Sequence, residues 1–216
     1  RDGSISEKRE ENFTLIKGYN DYNGNGPLYP PVKNIKLIRN NLLIVAFTDF
    51  YYIDEEEELN NPEYYNRSRS NKILIYSLND KKVISELNNH KSNKLLAMET
   101  YTINNTDYIV SIDESNQIII YNLNNKETQY LNTNYKLNSL CISSCKQFLI
   151  CGTETNDILL YDISNYKLLS SWKHDLENLT SINCLISYDN YLISCSGKTA
   201  KIWDLNNNKC MQIYDK

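Results

Sequence analysis

The residues able to do chemistry in this chain are few, and their spacing limits what they can do. Six cysteines stand at 141, 145, 151, 184, 195 and 210, and two histidines at 90 and 174. Zinc sites use Cys-x-x-Cys pairs or His and Cys at short fixed spacings; no such pair occurs, so no metal site is expected. Disulfide scaffolds are short, Cys-dense and turn-rich, unlike this chain, so the thiols are expected to be reduced and mostly buried. A His90–His174 acid–base pair needs a nucleophile and an orienting carboxylate, and the spacing supplies neither. Ser196-Gly197-Lys198-Thr199 has the letters that end a phosphate-binding loop. That loop also requires a Gly five residues before Gly197 and a following helix, whereas position 192 is Leu and a strand pattern follows. The carboxylates at 54–58 are consecutive and lack the alternating spacing and Gly of a calcium loop, so they read as an open acidic loop. Arg67-Ser68-Arg69-Ser70 has the composition of a phosphorylation target. No cofactor and no catalytic group is expected.

The elements that position these side chains must come from an ordinary core. The 216 residues are 41% hydrophobic and 23% charged, a globular balance that argues against wholesale disorder. A net charge of −4 and a pI near 5.3 give no electrostatic footprint for nucleic acid or an anionic membrane. The 18 tyrosines fall mostly in strand patterns, and a stacking platform for single strands would also need a basic groove. The longest apolar run, Leu42–Phe47, is far shorter than the ~20 residues of a membrane span. No secretory segment opens the chain, which begins at Arg1 and reads as an excised piece of a cytoplasmic or nuclear protein. Asn-x-Ser/Thr triplets at Asn12, Asn66, Asn104 and Asn178 are expected by chance in so Asn-rich a sequence.

Internal repetition is the informative feature. Ile73-Leu74-Ile75-Tyr76-Ser77-Leu78, Ile118-Ile119-Ile120-Tyr121-Asn122-Leu123, Ile158-Leu159-Leu160-Tyr161-Asp162-Ile163 and Ala200-Lys201-Ile202-Trp203-Asp204-Leu205 align. Their aromatic residues, at 76, 121, 161 and 203, are spaced by 45, 40 and 42 residues. Each period holds four short runs rich in Ile, Leu, Val and Tyr, bounded by Asn, Asp, Ser and Gly. In the third period they cover 137–143, 148–152, 157–163 and 168–172; in the fourth, 182–187, 191–196, 199–205 and 210–214. The first is expected to hold strands at 32–38, 42–47 and 72–78, with a long exposed insertion at 51–71. Upstream, 13–17 reads as a further strand and 20–31 as a linker. The class is all-β. Four-stranded antiparallel units at this period are the pattern of a β-propeller.

At Ser196-Gly197-Lys198-Thr199-Ala200-Lys201-Ile202-Trp203-Asp204-Leu205 the chain resembles the end of a WD-repeat blade. The resemblance runs over about 32–216, with Tyr121-Asn122, Tyr161-Asp162 and Tyr76-Ser77 standing in for Trp-Asp. It implies blades at about 32–87, 94–131, 137–172 and 182–214, following an N-terminal strand and linker at 1–31. It also implies a hydrogen-bonded set of His, Ser or Thr, Asp and Trp that stiffens a blade. His174 lies 29 residues before Trp203, and His90 lies 31 before Tyr121. The fourth blade could supply His174, Ser194 or Ser196, and Trp203, while Gly197 closes a turn too short for the Asp. In the third, Tyr135 stands near the place of the His. Tyr76, Tyr121, Tyr161, Trp203, Asp204, His90 and His174 are therefore expected to be blade-structural. Four blades are fewer than the family usually closes with, which implies an open arc or partial ring, completed by further blades of its own chain or a complex subunit.

The family resemblance implies a non-catalytic scaffold that docks proteins or peptides, as a subunit of a multiprotein complex. Loops on a rigid frame would form the surface, at 88–93, 113–116, 153–156 and 173–179. Lys91, Asp113, Glu114, Glu154, Lys173 and Asp175 are the candidate partner-binding residues, and their mixed charge favours complementarity over bulk attraction. The alternative is a propeller-based enzyme with a central-channel active site, for which Lys36, Glu99, Ser139 and Asn183 are a poor constellation. A nucleic-acid-associated propeller would rest on Arg67, Arg69 and a few lysines.

Overall fold

Runs of β-branched and aromatic residues alternate with short polar turns, and the chain answers them with strands. The structure, a computed structural model, describes residues 19–20, 27–28, 32–47, 72–92, 94–177 and 180–215. The strand expected at 13–17 and the insertion at 51–71 lie outside the described residues. Among the described residues there is no α-helix; the one helical turn is the 3-10 segment Arg39–Asn41. Among the described residues no helix is long and apolar enough to cross a membrane.

The chain divides into two compact units, Arg1–Asn88 and Asn89–Lys216. The first unit has a two-residue ribbon, β1 (Tyr19–Asn20) with β2 (Pro27–Leu28), and one four-stranded antiparallel sheet. That sheet runs in chain order through β3 (Val32–Ile38), β4 (Leu42–Phe47), β5 (Lys72–Ser77) and β6 (Lys82–Leu87). Val45, Phe47 and Leu74 form a small buried cluster on it, with Leu43 packed alongside.

The second unit holds three such sheets. Its first comprises β7 (Leu95–Ile103), β8 (Thr106–Asp113), β9 (Gln117–Asn122) and β10 (Thr128–Asn132). Next come β11 (Leu137–Ile142), β12 (Phe148–Thr153), β13 (Asp157–Asp162) and β14 (Leu168–Lys173). The last has β15 (Ile182–Tyr188), β16 (Tyr191–Ser196), β17 (Thr199–Asp204) and β18 (Lys209–Asp215). Every neighbouring pair is antiparallel.

The middle sheet of this unit is covered on both faces. Leu149, Cys151, Leu159 and Tyr161 pack with Val110, Ile112, Ile118 and Ile120 of the preceding sheet. Cys141, Ile150, Ile158 and Leu160 pack with Ile182, Leu185, Leu192 and Trp203 of the following one. This is why Ile158-Leu159-Leu160-Tyr161 is a continuous apolar run rather than an alternating one. Each fully buried side chain of this kind contributes about 1.5–3 kcal/mol. Fourth strands, by contrast, are mostly exposed, as β10 and β14 are.

Asparagine has a structural use in the turns. Asn40, Asn41, Asn104, Asn105, Asn116, Asn156 and Asn208 all adopt positive φ, a region Asn tolerates better than most residues. In all four sheets the turn between the third and fourth strands places one residue there: Lys81, Lys126, Tyr166 and Asn208.

Candidate functional site

The repeated aromatic residue and its successor do the same work in each sheet. Tyr76, Tyr121, Tyr161 and Trp203 occupy the same place on third strands and are 8%, 6%, 7% and 6% exposed. The residue that follows caps the next turn. Asp204 accepts the Asn206 amide at 2.9 Å, Asp162 the Ser164 amide at 2.8 Å, and Asn122 the Asn124 amide at 2.9 Å. In the first unit Ser77 Oγ accepts the Asp80 amide at 3.1 Å. A short polar side chain here satisfies turn donors that would otherwise be left to solvent. The same bonds, led by those from Ser164, lower the Asp162 pKa.

His90 and His174 occupy corresponding places in two sheets and are bonded differently. His90 Nδ1 meets Asp113 Oδ2 at 3.1 Å and Nε2 meets Ser111 Oγ at 2.9 Å. The carboxylate accepts, so Nδ1 donates to it, and Nε2 shares the second bond with the Ser111 hydroxyl. Asp113 also accepts the amides of Ser92 at 3.1 Å and Ser115 at 2.8 Å, and the Ser115 hydroxyl. Burial opposes its ionisation, but the bonds from His90, Ser115 and Ser92 outweigh that and hold its pKa at about 2.

In the last sheet two hydroxyls, not a carboxylate, bond the ring nitrogens. Trp203 Nε1 donates to Ser194 Oγ at 2.8 Å, and Ser194 Oγ lies 2.7 Å from His174 Nδ1. His174 Nε2 is 2.8 Å from Thr199 Oγ1, which donates to the Ser196 carbonyl at 3.0 Å. One proton assignment satisfies the whole chain: Nδ1 accepts from Ser194 and Nε2–H donates to Thr199. Burial, reinforced by the Lys201 charge, lowers the His174 pKa to about 4. Ser194, not Ser196, is thus the hydroxyl of this set, and Thr199 stands where the short turn leaves no Asp. Ser196 Oγ donates instead to the Thr180 carbonyl at 2.7 Å. In the middle sheet, Thr133 bonds the Tyr161 hydroxyl and accepts the Tyr135 amide at 2.8 Å. Ser196-Gly197-Lys198-Thr199 forms the hairpin turn between β16 and β17, with Gly197 at φ 57°.

The partner-binding candidates separate into two groups. Lys91, Glu114, Glu154 and Lys173 are exposed. Glu114 pairs with Lys94 at 2.9 Å, Glu154 with Lys136 at 3.8 Å and Lys173 with Asp157 at 2.9 Å. The Glu154 amide is anchored on the Lys136 carbonyl at 2.8 Å. Asp175 is half-buried, and its side chain accepts the Glu177 amide at 3.1 Å. Asp113 is a correction. It was expected on a docking loop, yet it is 0% exposed because its oxygens are turned inward onto His90, Ser92 and Ser115.

A recess of about 760 Å³ lies at the opposite end of the strands from these loops, between the first two sheets of the second unit. Tyr101 and Tyr108 stack there, centroids 4.9 Å apart and planes at 9°. The Tyr101 and Tyr166 hydroxyls are 2.7 Å apart. Burial raises the pKa of both Tyr101 and Tyr166, so these phenols stay protonated and serve as hydrogen-bonding and stacking surface. Asn104, Glu127 and Ser164 supply polar lining. The repeat period does not single these residues out. The available signal was the length of β7 and β8, nine and eight residues against six for most strands, which carries Tyr101 and Tyr108 beyond the common core.

No family model matches the chain. A curated protein from Vanderwaltozyma polyspora, described as a CCR4-associated factor 4 homolog, is 31% identical over 94 residues, covering 37% of this chain. The chain spans only 14% of that relative's length.

Proposed function

We propose that this chain is part of a WD-repeat-type β-propeller acting as a non-catalytic scaffold that docks other proteins within a multiprotein assembly. The observation that carries the reading is the exposed set Lys91, Glu114, Glu154 and Lys173, of both signs, on loops braced from within. His90 and Asp113 tie down one loop from beneath, and the Glu154 amide is pinned to Lys136. Charges held on rigid loops recognise a complementary surface with little ordering cost, whereas charges on mobile loops lose affinity to entropy. Repeating four-stranded sheets, a buried aromatic on each third strand and the His174–Ser194–Trp203 bonds are what a propeller of this family would need. The relative's name describes a factor associated with another protein, which accords with a docking role.

The test is affinity capture from the native cell with the full chain as bait, beside a variant carrying Lys91→Glu, Glu114→Lys, Glu154→Lys and Lys173→Glu. A specific partner held by the wild type and lost by the variant, with an unchanged circular dichroism spectrum, is the expected result. Partners retained equally by both would move the docking role away from these loops.

A further inference from the structure

Cys184 on β15 and Cys195 on β16 are direct cross-strand partners. Directly opposed residues of an antiparallel pair point to the same face, with Cα atoms about 4.5–5.5 Å apart. A disulfide spans Cα separations of about 4.4–6.8 Å, so an opposed pair lies within its reach, here next to the bulge between Ile182 and Cys184. The thiols already interact: Cys195 has a raised pKa, from burial first and then from the neighbouring Cys184 with which it hydrogen-bonds. Both are free, Cys184 exposed and Cys195 half-buried. Their row continues across the sheet to Ala200 and Tyr214, and no charged side chain stands in it.

The other thiols are placed differently. Cys141 and Cys151 are buried in the packed sheets, and burial raises the Cys151 pKa to about 12. Cys210 packs on the opposite, core-facing side with Trp203. Cys145 sits in a turn beside Ser143 Oγ at 3.3 Å.

We propose that Cys184 and Cys195 form a reactive cross-strand dithiol that exchanges with small-molecule disulfides of the glutathione type and closes reversibly to an intrachain disulfide. The more exposed Cys184 attacks first: its thiolate bonds to one sulfur of glutathione disulfide, whose S–S bond breaks and releases one glutathione thiolate. Cys195 then loses its proton to solvent and attacks the Cys184 sulfur, and the second glutathione leaves as thiolate. Both released thiolates take up protons. Two electrons pass from the protein dithiol to glutathione disulfide, giving one protein disulfide and two glutathione thiols. Reduced glutathione in excess runs the sequence backwards. The site rests on strand register and does not depend on the docking function.

The experiment equilibrates the full chain in glutathione redox buffers, quenches with an alkylating reagent and maps peptides by mass spectrometry. The expected result is loss of the Cys184 and Cys195 thiols in step, with a linked 184–195 peptide, while Cys151 stays a thiol. Cys195→Ser should accumulate a mixed glutathione disulfide on Cys184, because the resolving thiol is gone. Cys184→Ser should abolish the linked peptide. Independent titration of the two thiols overturns the proposal. So does linkage of either to Cys145, Cys210 or a second chain, or wild type accumulating as much mixed disulfide as Cys195→Ser.

Discussion

Two histidines at corresponding places in the repeat have been given opposite electrostatic settings, and the difference is measurable. The His174 pKa falls from about 6.5 in the unfolded chain to about 4 in the folded one, because protonation would bury a charge and set it near Lys201, which together outweigh the opposing pull of Asp175. As pH falls below about 6.5 the unfolded chain takes up this proton first. The stability contributed by the neutral ring is therefore complete above that pH and lost progressively down to about 4, on the order of 3 kcal/mol in all. Both tryptophans report on this region, since Trp172 and Trp203 lie 5.9 Å apart and His174 lies 6.2 Å from Trp203. Denaturation followed by their fluorescence should show the midpoint falling between about pH 6.5 and 4, and His174→Gln should flatten that slope. An unchanged slope in the variant would place the titrating group elsewhere. Asp113 acts in a lower window: its stabilisation is present above about 3.8 and lost as pH falls towards about 2. Asp113→Ala leaves His90 and three further donors without their acceptor, and should cost on the order of 3 kcal/mol. Glu114→Ala, one residue on and half-exposed in its pair with Lys94, should cost under about 1 kcal/mol. Urea melts of the two variants separate the buried carboxylate from its exposed neighbour.

At the scale of elements, the close joint between the last two sheets depends on a glycine. A methyl group on Gly152 of β12 would sit 2.5 Å from Ser139 Oγ and 2.6 Å from the Ile182 side chain. Ser139 donates to the Ile182 carbonyl at 2.7 Å and Asn138 reaches the same oxygen at 3.0 Å, so neither side can yield without losing a buried bond. Gly152→Ala should destabilise the second unit by about 1–3 kcal/mol, read by a shift of the tryptophan-detected melt. A neutral substitution would mean that the sheets slide more easily than these bonds allow. The strands themselves were legible because apolar runs and turn residues repeat at a steady period: 32–38, 42–47 and 191–196 match to the residue, and the other strands with expected bounds end within one residue of them. The aromatic positions were legible for the same reason. Asp113 was not, because a carboxylate at a strand end looks the same in sequence whether it points to solvent or back at a histidine. Nor was Ser194 distinguishable from Ser196, since alternation puts both on one face and only the hydrogen bonds separate them.

At the scale of the molecule, the last sheet differs from the one before it in what covers it. One face packs on the middle sheet through Leu185, Leu192 and Trp203. The other carries cross-strand rows Ile186, Ile193 and Ile202, ending at Gln212, and Tyr188 and Tyr191, continuing to Asp204 and Lys209. Of these, Ile186 is 53% exposed, Tyr188 70% and Tyr191 46%. Strand alternation alone does not produce such a face: a sheet with one wetted side presents mostly polar residues there, and over β15 and β16 this one presents the side-chain types of a covered sheet. Contiguous apolar surface of this kind drives association, and burying it against a second copy removes it from water at about 25 cal/mol per Å². The chain on its own should therefore self-associate through this face. Sedimentation velocity over a concentration series should show a rising sedimentation coefficient for the wild type. Ile186→Lys combined with Tyr188→Lys should hold it at the monomer value, because two cations on that face cannot be buried unpaired. Leu176→Lys is the control, since Leu176 is 87% exposed in the loop between β14 and β15, outside the strands that carry the face, and its replacement should change nothing. A wild-type chain that stays monomeric throughout the series, or a double variant that associates as strongly as the wild type, would show that this face is not what joins the copies.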